Sequence, residues 1–255
     1  MSSRKSVRRA LLAAATAVAS LGLAAAPAEA RQTTPTDQVP AFDYAGCPPL
    51  PSEAEPFGSF CFEEVATGGS VTIGNVTHTI TADEPLKVDF GSFSSESYPN
   101  GFENVFGGLR ADRFEIGRRN GQPVYAQPVY TGPFATENAQ ITLGFKIRFT
   151  GGGLGDTCTV GSDADPIVTH LITGTTAPPP PYQPITGTPW QLVPTARGVH
   201  LGTLVDNTFA VPAATGCAGD GNTYLNTLGG LPAPAGASAI RLNVYVGHRS
   251  YTQPA

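Results

Sequence analysis

The stretch Ile141–Thr176 reads ITLGFKIRFTGGGLGDTCTVGSDADPIVTHLITGTT, and its first nine residues decide the fold class. Ile141, Leu143, Phe145, Ile147 and Phe149 alternate with Thr142, Gly144, Lys146 and Arg148, the period-2 pattern of a strand with one buried and one wet face. Gly151–Gly153 frees the chain to turn. Beyond Cys158 and Pro166, Ile167 to Thr173 is partly apolar at both parities, which predicts a strand covered on both faces near the middle of a sandwich.

Working outward, Val71–His78 (VTIGNVTH) reads as a hairpin on a two-residue Gly74–Asn75 turn, pairing Ile73 with Val76 and Val71 with His78. The chain closes on Ile240–Val246, with Ile240, Leu242, Val244 and Val246 inward and Arg241, Asn243 and Tyr245 outward. Leu86–Phe90, Val199–Val205 and Phe209–Val211 are further short strands, and Val124–Tyr130, interrupted by Pro128, reads as an edge strand. Phe102–Ile116 suits either a short helix or two strands, and Asn222–Leu228 a helical turn or two. The Pro-rich Cys47–Cys61 segment and the Pro178–Trp190 stretch read as a loop and a stiff spacer. The expected fold is all-β, a β-sandwich-like domain with disulfides and at most one or two short helices. It spans residues 41–255 as a single domain, with 150–154 the one place where it could divide.

At the other end, Arg4, Lys5, Arg8 and Arg9 precede an apolar run from Ala10 to Ala26, and Ala28-Glu29-Ala30 fits the small-x-small cleavage rule. Residues 1–30 therefore read as a secretory signal peptide, and 31–40 as a disordered leader. No other apolar run approaches the ~18 residues of a membrane span. Without residues 1–30, 225 residues remain, with 11 basic against 19 acidic and a net charge of −8, which argues against nucleic acid or anionic membrane as a partner.

Cys47, Cys61, Cys158 and Cys217 all lie in the exported part, where an even number of cysteines predicts two disulfides. Of the three pairings, Cys47–Cys61 and Cys158–Cys217 are favoured: one closes a short Pro-rich loop and the other ties the central segment to the far end of the chain.

The search for catalytic residues yields none. Gly236-Ala237-Ser238-Ala239-Ile240 lacks the last glycine of a nucleophile elbow, and His78, His170, His200 and His248 show no i,i+2 or i,i+4 pairing for zinc. A glycosidase pair such as Glu63 and Glu103 depends on a separation that only the fold defines. Asp156, Asp163, Asp165 and Asp220 are candidate ligands for an extracellular Ca²⁺, in loops that a Cys158–Cys217 bond would bring together, although Asp also serves as an ordinary turn former. Tyr182, Trp190 and Tyr224 are candidate binding aromatics, with loop anchoring as the alternative.

LGDTCTVGSDADPIVTHLITGTTAPPPP (Leu154–Pro181), ITG (Ile185–Gly187), LVDNTFAVPAATGC (Leu204–Cys217) and LGGLPAPAG (Leu228–Gly236) resemble a pattern of secreted actinobacterial proteins of no assigned activity. CPPLP (Cys47–Pro51) and VFGGLRA (Val105–Ala111) extend the resemblance. It implies source and export and supplies no catalytic residues. The expectation is an exported, non-enzymatic extracellular or envelope protein that binds or assembles. Its partner would be an extracellular molecule, a cell-wall component or its own copies. The rival reading is a secreted hydrolase acting on polysaccharide or peptide.

Overall fold

The computed structural model describes residues 39–98, 100–137 and 140–252, which all belong to one compact unit. The stretches expected to be a signal peptide, 1–30, and a leader, 31–40, lie outside the described residues except for residues 39 and 40. In chain order the elements are β1 (Glu55–Ile73), β2 (Val76–Ile80), β3 (Leu86–Ser94), β4 (Phe102–Arg110), β5 (Phe114–Arg119), β6 (Gln122–Glu137), β7 (Gln140–Gly151), β8 (Thr159–Val160), β9 (Ile167–Leu171), β10 (Thr188–Leu192), β11 (His200–Asp206), β12 (Ala214–Thr215), α1 (Gly221–Gly229) and β13 (Ala239–Ser250). They form two antiparallel sheets. One has the order β10-β11-β13-β1-β3-β4, with β2 added to β1; the other has the order β12-β8-β7-β6-β5, with β9 added to β7. At one edge the sheets are stitched together by a bridge between Ile172 and Val205 and by the His170 amide, which donates to Asp206 Oδ2 at 2.7 Å.

β7 carries the predicted alternation, with Ile141, Leu143, Phe145, Ile147 and Phe149 all buried. The hairpin holds its predicted register, Ile73 opposite Val76 and Val71 opposite His78. Phe102–Ile116 resolves into β4 and β5.

Several readings change. β9 lies beside β7 with His170 exposed, so it is covered on one face and not both. β6 runs between β5 and β7 instead of along an edge. Its ladder with β5 ends at Ala126, so Pro128 sits where β7 alone flanks β6 in the sheet and no hydrogen bond needs its missing N–H on the other side. Trp190 belongs to the edge strand β10, not to a spacer. Of Phe209–Val211, only Val211 pairs, in a bridge to Ala233.

β1 is the element the Pro-rich reading obscured. It begins inside the Cys47–Cys61 loop and lies at the centre of the larger sheet, between β13 and β3. A bulge at Thr67 shifts its register against β13, so Phe60, Phe62, Glu64 and Ala66 face the other sheet before the bulge and Val71 and Ile73 do so after it. Gly69 makes this possible: its φ is +109°, and a Cβ there would collide with the Arg241 carbonyl.

The opposite face of this sheet is not wet. Tyr245 points outward, as read, yet it is buried with Val193 and Val199 in a second small core, and Cys61, Glu63, Val65 and Asp89 are buried on the same face. Residues 39–54 roof it, held by the Cys47–Cys61 bond and by the Tyr251 hydroxyl, which donates to the Pro48 carbonyl at 2.6 Å. The second disulfide joins Cys158 to Cys217. Their sequence separations are 14 and 59 residues, so on chain entropy, loss of the longer link is expected to cost about 1 kcal/mol more. Urea unfolding of the two Cys-to-Ala double variants checks this order.

Candidate functional site

Glu63 and Glu64 are neighbours on β1 and therefore point to opposite faces of the larger sheet. Both are buried, and the two faces treat them differently.

Glu63 lies under the roof in a charge network. Its carboxylate accepts from the Tyr44 amide at 2.6 Å, from Lys87 at 2.9 Å and from Arg110 at 3.2 Å. Arg110 donates from Nε and from a terminal nitrogen to Asp89 at 3.0 and 2.8 Å and also reaches Asp43 at 2.8 Å. Lys87 completes the set, 2.8 Å from Asp43. The hydrogen bonds from Arg110 and Lys87 hold the Asp43 carboxyl well below the usual carboxylate range. Burial raises Asp89 in spite of Arg110 beside it. Three acids share two cations, so every residue's charge has an opposite neighbour, and the cluster serves to lock the roof onto the sheet.

Glu64 faces the other way, into a cavity of about 130 Å³ between the sheets. Val88 and Val246 are its register neighbours on β3 and β13. The cavity walls are almost entirely aliphatic and aromatic: Ala66, Val88, Leu204 and Leu242 from one sheet, Leu143 and Phe145 from the other. Glu64 is only 8% exposed and has no hydrogen bond or ion pair among the described residues. Burial pushes its carboxyl up to about 8, so at neutral pH it is mainly the uncharged acid. Charged groups border the space at one side only, with His78, Glu84, Asp112 and Arg113. There the His78 ring stacks on Phe114 with centroids 3.7 Å apart, joining β2 to β5 across the gap between the sheets. Burial lowers the His78 imidazole, against the pull of Glu84.

The residues singled out from the sequence do not form this site. Asp163 pairs with Lys146 at 2.7 Å and Asp220 with Arg119. Asp165 closes a turn on Ser162, and Asp156 is exposed. No three of these carboxylates bring ligand atoms within 4.8 Å of one another; among the described residues only Cys47, Cys61 and Asp89 do so, and those two cysteines are spent on a disulfide. Trp190 and Tyr224 pack against the main core, and the Tyr182 ring covers Gly236, whose Cβ would collide with it. All three are half-buried anchors of separate segments. Of the histidines, only His78 borders the cavity. His170 contacts Thr142 at 3.1 Å on the open face of the smaller sheet, and His248 lies among Phe60 and Phe62. Glu103 is exposed on β4 while Glu63 is buried in the network.

The site residue that sequence reading passed over is Glu64. Its signal is a carboxylate at the apolar parity of Phe60, Phe62 and Ala66. Comparison with protein-family models, with curated proteins and with solved structures returns no match.

Proposed function

We propose that this is an exported binding protein whose ligand seat is the cavity between its sheets. One observation carries the reading: a mostly aliphatic space holds one buried carboxyl, Glu64, with no partner among the described residues. An unpaired buried polar group costs about 1–3 kcal/mol, and pockets that take small molecules have this composition, apolar walls with a few placed polar atoms. Binding is favoured over hydrolysis because the histidine and carboxylates beside the cavity do not converge. His78 is held in a ring stack, and no set of three His, Cys, Asp or Glu side chains gathers there within 4.8 Å among the described residues. Two disulfides and the absence of any helix long and apolar enough to cross a membrane, among the described residues, fit an exported protein.

The test is a thermal melt with ethylbenzene, a neutral apolar probe. Saturating probe is expected to raise the melting temperature by mass action on the folded state, and Ala126→Leu, which fills part of the cavity, is expected to abolish the rise. A wild-type melt that ethylbenzene leaves unmoved would contradict the reading.

A further inference from the structure

We infer that Glu64 is the head-group anchor of this cavity, and that the ligand is a neutral one-ring or short-chain apolar molecule whose single carbonyl or hydroxyl oxygen accepts the Glu64 carboxylic O–H. The inference rests on the cavity reading above and names its ligand class.

Size comes first. A dry apolar cavity of about 150 Å³ accommodates benzene, so the 130 Å³ here suits one ring or a short chain and not a fused-ring or long-chain lipid. The chemistry of the head follows from what surrounds Glu64. Its neighbours across both ladders are valines. The ionisable groups that face the cavity, His78 on β2, Glu84 after it, and Asp112 and Arg113 between β4 and β5, stand at the border, and burial is the sole cause that moves the Glu64 carboxyl. Among the described residues no cation compensates a charge at that point.

A protonated carboxyl has one strong donor to offer. A hydrocarbon would leave that donor unpaired. An ammonium would draw off the proton and place two charges in the cavity, where the cost of removing both from water exceeds what their attraction returns unless further hydrogen bonds help, and no described side chain supplies them. A neutral oxygen acceptor satisfies the donor with no net charge buried.

The experiment uses the full mature chain at pH 6 and three probes of one skeleton: acetophenone, ethylbenzene and 1-phenylethylammonium. Dissociation constants come from calorimetric titration of wild type, Glu64→Leu and Glu64→Gln. The ratio of ketone to hydrocarbon affinity is expected to be roughly tenfold higher in wild type than in Glu64→Leu, the worth of one buried hydrogen bond. Glu64→Gln, which keeps an N–H donor, is expected to retain most of that preference. The ammonium probe is expected to bind weakest. Equal ratios in wild type and Glu64→Leu, or an ammonium that binds tightest, would overturn the inference while ethylbenzene binding leaves the cavity reading intact. Failure of all three probes to bind wild type would remove the cavity reading and the inference together.

Discussion

Glu64→Leu is expected to make the protein more stable, and increasingly so as pH rises. In the folded chain the carboxyl keeps its proton up to about pH 8, against 4.5 for the ordinary side chain. Between those values the folded state therefore binds more protons than the unfolded state, and stability falls as pH rises through that window. At ~1.4 kcal/mol per pH unit, the loss by pH 7 is on the order of 3 kcal/mol. Leucine in an apolar cavity carries no such penalty. His78 acts with the opposite sign: its imidazole sits below 6.5, so its contribution is lost as pH falls. Comparing wild type with the variant isolates Glu64 from it. Urea unfolding at pH 5, 6, 7 and 8 is expected to give curves that diverge with pH. Parallel curves would mean that Glu64 ionises in a solvated or partnered setting.

Arg110→Met is expected to destabilise the protein by about 3–5 kcal/mol, the usual cost of removing one partner from a buried ion pair. It leaves Asp89 and Glu63, both 0% exposed, with Lys87 as the remaining cation of the network, and Lys87 bonds to Glu63 and Asp43 but not to Asp89. The value should fall toward the lower end because the Arg110 side chain is itself 32% exposed. Arg110→Lys is expected to recover only part, since an ammonium lacks the planar fork that meets Asp89 through two nitrogens. Denaturation at low and moderate salt checks both variants. A loss below ~1 kcal/mol would place the network among exposed ion pairs of little worth.

These two expectations turn on Glu64 and on the partners of its neighbour Glu63, and that stretch shows where the sequence was legible and where it was not. Period-2 alternation in Ile141–Phe149 and Ile240–Val246 marked core strands because each has one face of aliphatic and aromatic side chains. The Gly74–Asn75 turn set a hairpin register because so short a loop admits few geometries. In FCFEEVATGG (Phe60–Gly69) the same alternation exists, but two glutamates and a glycine pair disguise it. Glu63 is inside because distant residues, Arg110 and Lys87, neutralise it. Glu64 is inside with no described residue to neutralise it, and no local pattern announces that. The bulge at Thr67 then reverses the parity midway, so no single template fits the whole strand.

The loop residues chosen from sequence do not gather into one place, for a related reason. Asp, Tyr and Trp in Gly/Pro-rich loops look alike whether they bind a ligand or hold a turn. Asp163 and Asp220 found cationic partners on other strands, and Trp190 covers Gly202. The cysteine pairing was readable because loop length and compartment narrowed three options to one favoured pattern.

The most direct test of the ligand seat is a methyl-resolved NMR titration of the protein with acetophenone, reading intermolecular contacts from the probe to assigned Ile, Leu and Val methyls. The account predicts contacts to Val88, Leu143, Leu204 and Leu242, which line the cavity from both sheets. Contacts confined to exposed Leu192, with the cavity methyls unmoved, would contradict it.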